Sequence, residues 1–386
     1  MRFAFIGDIM LGRQVASKYS EKPYCPVSDE VIKDIEINSD FIIANMESPI
    51  LLHSNDVLDH MCFQGNPDLL QHFKWINLFS TANNHINDFG DDGIIDTIYS
   101  LSEVGCLSNG VYKEEYTPVL IEQEKIAIVT LTDLMNKELS ASSPYKLLRM
   151  DSEKTLDVIT NYHNRGYFVI VFAHVGMLFT RFPNPITRDY LHKFVDSGAN
   201  IIVTSHSHCV GGIEYYRSVP IIHSLGDFLM DGTSYRRRQS CYLTFEVNDN
   251  NVSSLSLHPL FTSTDLITSY PPRKMKEAME SSIKYVSYKL EKIKNPTEYK
   301  HFFSKQYKKE ILFHSWSTIL FIIKTKGIKE LFRLLMLRKE DVKHLIKWGT
   351  SDRSDVQSDT EALDIKTKLT EDQIFGNRGD DNSTIL

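Results

Sequence analysis

The sequence has few cysteines and no long apolar run. Its five cysteines are scattered and none forms a Cys-x-x-Cys pair, which argues against a disulfide scaffold or a zinc ribbon and favours a reducing compartment. The longest apolar run, residues 318–323, is far shorter than the ~20 residues that cross a bilayer. Met1 leads directly into a strand-like segment without the features of a secretion signal. We therefore expect a cytoplasmic protein with at most a peripheral contact to the inner face of the membrane.

Basic residues are also outnumbered by acidic ones in the N-terminal part of the chain and are concentrated in a later segment. Residues 1–270 carry 20 Lys and Arg against 33 Asp and Glu, residues 271–350 carry 19 against 8, and residues 351–386 carry 4 against 9. Since nucleic acids bind proteins largely through basic side chains, the acidic first region argues against a nucleic-acid partner. The compositions predict an α/β domain over residues 1–265, a basic helical extension over 271–350 and a disordered acidic tail over 351–386.

Short β-branched apolar runs recur in the first region and alternate with helical patterns. This alternation predicts an α/β fold whose parallel strands are buried between helix layers. Two later runs, residues 240–247 and 252–260, predict a hairpin around an Asn-Asp-Asn-Asn turn. The other predicted strands cover residues 2–7, 41–45, 76–81, 125–131, 167–174, 200–206 and 219–225, and the predicted helices cover 91–105 and 186–198.

Side chains that can bind metal ions or transfer protons follow these predicted strands. Open α/β sheets place their ligand sites at the carboxyl ends of the strands. A mixture of carboxylate and amide oxygens with imidazole nitrogens suits manganese, iron or zinc better than magnesium or calcium. With two carboxylates, one can bridge a pair of ions that generates hydroxide near neutral pH and assists displacement at phosphorus. The side chains are Asp8, Asn45, Glu47, Asn83, Asn84, His85, His174, His206, His208, His223 and Asp227.

Five sequence blocks carry a family resemblance. They are GDIMLGR at 7–13, ANMESP at 44–49, ANNHINDFG at 82–90, FAHVG at 172–176, and the segment from SHSHC to LGDFL at 205–229. In this order they resemble the CapA family of capsule and poly-γ-glutamate synthesis proteins, a branch of the calcineurin-like metallophosphoesterase superfamily. The resemblance implies a four-layer α/β/β/α sandwich around two divalent metal ions, and it does not cover the basic extension or the tail.

The resemblance also implies a role for each matching residue. Glu47 stands where the wider superfamily has a bridging aspartate, and His85 is the general acid or the histidine that polarises a phosphate. The remaining implied ligands are Asp8 and His208 for the first metal ion, and Asn84, His174 and His206 for the second.

The chain departs from the family pattern at three positions. Met10 stands where the wider superfamily usually has a histidine, and methionine is a poor ligand for a hard or borderline ion. Met177 and Leu178 stand where family members often carry an acidic residue. Asp227 replaces an asparagine, and it either adds charge to the substrate site or caps a turn.

Other charged residues near the motifs have two interpretations each. Arg13 either binds a phosphate or carboxylate of the substrate or caps a helix at the surface. Asp88 either orients His85 or caps the helix that begins near Asp91. The cluster of residues 236–238 either faces an anionic substrate or is solvated loop charge, and we favour the second interpretation.

The basic extension contains two helical patterns, over residues 274–294 and 315–339. The second combines large apolar residues with many lysines and arginines. It predicts either a helical cap packed on the α/β domain or a basic helix that lies on an anionic membrane surface or on a capsule-machinery protein.

These observations favour a metal-dependent hydrolase or transferase. Its substrate would be an anionic small molecule or polymer, phosphate-containing or of γ-glutamyl type, in the synthesis of a capsule or another cell-envelope polymer. The alternative is a weakly catalytic or non-catalytic subunit of a capsule machine that docks through the basic extension, because Met10 and Met177 stand where functional side chains are expected.

Overall fold

The computed structural model describes residues 1–53, 62–133 and 135–329. These residues form a mixed α/β fold with two large sheets. The strands are β1 (Arg2–Ile9), β2 (Phe41–Met46), β3 (Leu78–Ser80), β4 (Leu107–Asn109), β5 (Val111–Tyr112), β6 (Val119–Ile121), β7 (Ile126–Thr132), β8 (Lys146–Leu147), β9 (Phe168–His174), β10 (Ala199–Ser205), β11 (Ile213–Tyr216), β12 (Val219–Ile222), β13 (Asp227–Leu229), β14 (Gln239–Asn248), β15 (Asn251–Thr262) and β16 (Thr268–Ser269). The helices are α1 (Arg13–Glu21), α2 (Asp29–Ile37), α3 (Gly90–Glu103), α4 (Glu153–Asn164), α5 (Pro185–Asp196), α6 (Arg273–Lys292) and α7 (Pro296–Lys326), with short 3-10 helices at Pro67–Phe73 and Glu122–Glu124.

Each large sheet has a parallel centre. The first has the order β16-β15-β14-β1-β2-β3-β4, and β13 pairs with the end of β1. Strands β1 to β4 are parallel, whereas β14 and β15 are antiparallel neighbours. The second has the order β11-β12-β10-β9-β7-β6, with β12, β10, β9 and β7 parallel. Parallel strands end at one edge of their sheet, which brings residues from distant sequence blocks together.

The two sheets pack face to face, which explains why the predicted strands are almost wholly apolar. Along β1, Phe3 and Phe5 face the second sheet, whereas Ala4 and Ile6 face the helices outside the first sheet. The same alternation runs along β7 and β9, whose outer faces pack on α4 and α5. Successive side chains of a strand point to opposite faces, so burial of both faces requires an uninterrupted apolar run. The four-layer α/β/β/α sandwich is therefore confirmed.

The seven predicted strands and the hairpin all coincide with observed strands. The hairpin loop places Asp249 at φ 48° and Asn250 at φ 62°, the left-handed backbone that a two-residue turn requires. The predicted surroundings of the strands are wrong in one respect. Each sheet lies between helices and the other sheet, rather than between two helix layers.

The second helix of the extension begins much earlier than predicted. It starts at Pro296 instead of residue 315, because the Asn295 side chain accepts two backbone N–H groups of the first turn and proline is favoured there. It ends at Lys326 and is followed by the C-cap residue Gly327, which has φ 85°. Residues 330–339 of the predicted helix and the whole predicted tail, residues 351–386, lie outside the described residues.

The described part of the extension packs on the α/β domain. An apolar cluster joins α6 and α7 to the segment that follows β9. No helix within residues 1–53, 62–133 and 135–329 is long and apolar enough to cross a bilayer. The cluster contains Met177, Phe182, Val286, Leu290, Ile293, Tyr299, Phe303 and Tyr307.

A buried carboxylate reinforces this junction. Glu214 of β11 is fully buried and pairs with Arg188 of α5, with a shortest N–O distance of 2.6 Å. It also lies 3.0 Å from ring nitrogens of His192 and His223. Nη1 and Nη2 of Arg188 also donate to the carbonyl oxygens of Ile293 and Leu290 at the end of α6. The second sheet, α5 and the extension are therefore tied together through one ion pair.

Candidate metal centre

Strand ends of the first sheet bring together residues from three sequence blocks. Asp8 of β1 lies opposite Asn45 of β2 and opposite Asp227 of β13. The close approach of β1 and β13 requires glycine, since a Cβ on Gly7 would lie 2.0 Å from the carbonyl oxygen of Gly226. This contact holds Asp8 and Asp227 side by side.

The second sheet supplies three histidines at the same edge. His174 ends β9 opposite Ser205 at the end of β10. His206 and His208 follow with φ values of 93° and 55°, a backbone region that costs most residues ~1 kcal/mol or more. The backbone N–H of His206 donates to Oδ2 of Asp8 at 3.1 Å. This hydrogen bond joins the turn to the first sheet.

Four buried side chains form what we call the acidic cluster: Asp8, Glu47, His208 and Asp227. One ligand atom from each lies within 4.8 Å of the others. Nδ1 of His208 lies 2.6 Å from Oδ1 of Asp227, and Nε2 lies 3.7 Å from Oε1 of Glu47. The structure thus brings Asp227, predicted to contact substrate, next to three predicted metal ligands.

Glu47 has an unusual environment within this cluster. Both carboxylate oxygens are buried without a hydrogen-bond partner in the described part of the chain, an arrangement that costs ~1–3 kcal/mol or more for a polar group. Burial, and then the charge of Asp8, raise the pKa of Glu47 well above its ordinary value. Burial alone would also raise the pKa of Asp8, but the hydrogen bond and charge of His174, with the charge of His208, lower it.

A second set of ligands, Asn84, His174 and His206, lies beside the acidic cluster. Nε2 of His174 lies 2.8 Å from Oδ1 of Asn84 and 3.0 Å from Nδ1 of His206. Nδ1 of His174 lies 3.5 Å from Oδ1 of Asp8. Asp8 therefore lies between the two sets. An amide oxygen and two imidazole nitrogens at one point suit a second divalent cation.

His85 is oriented by its neighbours. Its Nδ1 lies 2.9 Å from Oδ2 of Asp88, and its ring stacks on Phe63 with centroids 3.7 Å apart. Asp88 therefore orients His85, as one interpretation of the sequence predicted. The N-cap residue of α3 is Phe89 and not Asp88. Because a carboxylate oxygen only accepts hydrogen bonds, this contact places the proton of the neutral ring on Nδ1, so that Nε2 is the nitrogen that accepts.

Comparison with known proteins identifies the family of the chain. Residues 2–232 match the model of the family described as bacterial capsule synthesis protein PGA_cap. The chain belongs to this family. The PGA_cap family is part of the metallophosphoesterase-like superfamily. The match includes both ligand sets and ends before α6, so the helical extension lies outside it.

Individual relatives carry capsule-related names. The chain is 29% identical over 272 residues to the PGA biosynthesis protein CapA of Bacillus subtilis (strain 168), covering 67% of this chain and 70% of that protein. It is 25% identical over 287 residues to the capsule biosynthesis protein CapA of Bacillus anthracis, covering 67% of each. A crystal structure of a hypothetical protein from Thermus thermophilus superposes with a TM-score of 0.40 at 12% identity, covering 67% of this chain and 98% of that chain.

Met10, which departs from the pattern of the wider superfamily, and Met177, which departs from that of the family, have structural roles. Met10 is fully buried, and its sulfur accepts the backbone N–H of Gly12 at 3.1 Å. Met177 is 5% exposed and packs in the apolar cluster of the extension. Both methionines therefore contribute to packing.

The arginines near the site are buried or partly buried. Arg13 forms an ion pair with Asp231, its side chain is 11% exposed, and its guanidinium lies over Phe63, so the surface interpretation is wrong. Arg237 and Arg238 are 1% and 3% exposed. The favoured interpretation of residues 236–238 as solvated loop charge is therefore also wrong. Arg237 lies 3.7 Å from Asp227 and supplies positive charge behind the acidic cluster.

Three asparagines position the ligands, and only Asn136 was missed, because Asn45 and Asn83 are already among the candidates at the predicted strand ends. Asn45 donates to Asp8 at 2.8 Å, and Asn83 donates to the carbonyl oxygen of Met46 at 2.7 Å. Asn136 accepts from Asn84 at 3.1 Å and lies 3.1 Å from both ring nitrogens of His85. Asn136 follows β7. A search of the polar residues after this strand, like the search after the other predicted strands, would have found it.

The helical extension also reaches the site. His314 of α7 stacks on Phe179, with ring centroids 4.0 Å apart, and Phe179 lies 6.1 Å from the ring of His208. One turn earlier, Glu310 pairs with Arg181 and with Arg236. Helix α7 therefore forms a wall beside the acidic cluster, which the sequence did not predict.

The residues present fit divalent cations. The Glu47 carboxylate is buried beside Asp8 and Asp227, and no group within residues 1–53, 62–133 and 135–329 donates a hydrogen bond to its oxygens. Such a group is stable in a protein when it is paired or coordinates a cation. The donors are hard oxygens and imidazole nitrogens, which suit manganese, iron or zinc. The acidic cluster is thus a site that can hold a metal ion.

Proposed function

We propose that the protein is a metal-dependent hydrolase or transferase in the synthesis of a bacterial capsule or another cell-envelope polymer. The observation that carries the proposal is the buried Glu47 carboxylate of the acidic cluster, which accepts no hydrogen bond from the described residues. Membership of the PGA_cap family supports the biological context. The proposed substrate is an anionic molecule with a phosphate or a γ-glutamyl-type group.

Two groups of residues would hold the ions. Asp8, Glu47, His208 and Asp227 would hold the first, and Asn84, His174 and His206 the second, with Asp8 shared between them. When bound, divalent ions supply activation of water near neutral pH and neutralisation of charge that develops at phosphorus or at a carbonyl oxygen. We assign Asp227 to the ligands because its carboxylate contacts His208 and would repel an anionic substrate.

His85 would transfer a proton to the leaving group. Asp88 fixes the ring through Nδ1, and stacking on Phe63 restricts its rotation. The proton would pass through Nε2, the ring nitrogen that faces no carboxylate among the described residues. The guanidinium of Arg13 lies over the same Phe63 ring. We propose that Arg13 contributes positive charge near an anionic substrate.

The test is metal content and turnover in matched variants. We expect Asn84→Ala and His206→Ala to lose bound manganese, iron or zinc and to lower turnover of a generic phosphodiester by about 100-fold, because each removes a direct ligand. Metal content is measured by plasma emission spectroscopy on the full-length chain. His163→Ala, an exposed histidine of α4, is the control and should resemble the wild type.

Two other results would count against parts of this proposal. Equal metal content in all variants would overturn the assignment of the ligands. Metal loss in the variants without measurable turnover in the wild type, on phosphodiester and γ-glutamyl substrates alike, would instead favour a non-catalytic subunit of a capsule machine.

A further inference from the structure

The outward side of α7 carries exposed apolar residues in a row. Leu312, Trp316 and Leu320 follow at four-residue spacing and are 61%, 63% and 53% exposed, and Phe313 beside them is 52% exposed. Residues four apart lie on one side of a helix. We call these four residues the outer strip. No other helix in the described part of the chain has four exposed large apolar side chains.

The outer strip lies opposite the side of α7 that packs on the domain. Glu310, His314 and Thr318 are at most 8% exposed. Each precedes a residue of the strip by two positions, which corresponds to about 200° around an α-helix. The C-terminal half of α7 therefore has a buried side that packs on the described part of the protein and an exposed apolar side, the outer strip.

The charges around the outer strip are all positive. Lys305 and Lys309 precede it and Lys324 follows it on the same side of the helix, and all three are exposed. Helix α7 contains only two acidic residues, Glu298 at its first turn and Glu310, which is buried between two arginines. A surface that complements the outer strip is therefore apolar beneath and negatively charged around its edges.

We propose that the outer strip binds an anionic lipid surface. Leucine and tryptophan side chains would enter the boundary between headgroups and acyl chains, while the lysines reach the lipid phosphates. Each lysine near such a surface adds to the attraction, and salt weakens it. Because the opposite side of α7 contacts Phe179 beside His208, this binding would hold the candidate metal centre close to the membrane.

Vesicle co-sedimentation of the full-length chain tests the proposal. We expect binding to an equimolar mixture of phosphatidylcholine and phosphatidylserine, little binding to phosphatidylcholine alone, and release at high salt. Leu312→Ser combined with Trp316→Ser should weaken the partition coefficient by about tenfold or more, as should Lys305→Glu combined with Lys309→Glu.

The matched control is Ile95→Ser combined with Tyr99→Ser. These side chains of α3 are 48% and 50% exposed at the same four-residue spacing, but they lack the flanking lysines. The control should bind vesicles like the wild type, and circular dichroism should show that every variant is folded. If the wild-type chain does not bind anionic vesicles, the proposal is wrong. This outcome includes the case in which a second copy of the chain or residues 330–386 cover the outer strip. Equal losses in the α3 control and the α7 variants would overturn it too.

Discussion

Replacing Glu47 with methionine is expected to stabilise the metal-free protein and to abolish its stabilisation by metal. The variant removes a buried carboxylate that has no hydrogen-bond partner and that lies beside the charge of Asp8. Replacement of such a group by an apolar side chain of similar length should raise the free energy of unfolding by about 1–3 kcal/mol. The measurement is urea unfolding of chelator-treated protein.

The same variant should respond weakly to added manganese. A cation that binds the folded chain at a hundred times its Kd stabilises it by about 2.7 kcal/mol, and Glu47→Met removes a central ligand. The control is Glu310→Met, since Glu310 is also buried but pairs with Arg181 and Arg236. Its loss should destabilise the protein with and without metal. A metal-free Glu47→Met protein less stable than the wild type would contradict the interpretation of this site.

Much of this centre was predictable because it is built from strand ends. Asp8, His174 and the residues after β10 follow apolar runs that are buried on both faces, and such runs are recognisable in the sequence. Parallel pairing then places the ends at one edge, whatever their separation along the chain. The family resemblance added the roles of Asn84 and His85, which strand patterns alone do not supply.

The features that the sequence did not reveal depend on tertiary contacts. The burial of Arg237 depends on how the loop after β13 folds back on the domain. From the sequence alone, three consecutive arginines are expected at the surface, because arginine is mostly exposed in proteins. The start of α7 was missed because Tyr299, Phe303 and Tyr307, which repeat at four-residue spacing, lie among polar residues without the aliphatic run that marks the second half of the helix. The contact of His314 with Phe179 likewise joins segments that no local pattern relates.

The largest loss of stability is expected for Glu214→Gln. This change leaves Arg188 buried without its carboxylate partner, and breaking a buried ion pair by removing one partner costs about 3–5 kcal/mol. It also loosens the end of α6, because Arg188 holds the carbonyl oxygens of Leu290 and Ile293. Urea unfolding near neutral pH measures the loss. Asp189→Asn is the control, since its pair with Lys193 on α5 is exposed and contributes about 0–1 kcal/mol.

The loss of unfolding free energy caused by Glu214→Gln should become smaller in acid. Burial alone would raise the pKa of Glu214, but hydrogen bonds from His192, His223 and Arg188 lower it far below its ordinary value of 4.5. A carboxylate whose pKa is lower in the folded state stabilises the protein above its unfolded pKa and loses this contribution as the pH falls. The difference between wild type and variant should therefore be constant near neutral pH and decrease below pH 4.5, by up to ~1.4 kcal/mol per pH unit. A difference that stays constant down to the acid unfolding of the wild type would show that this carboxylate does not gain its stability from the buried network.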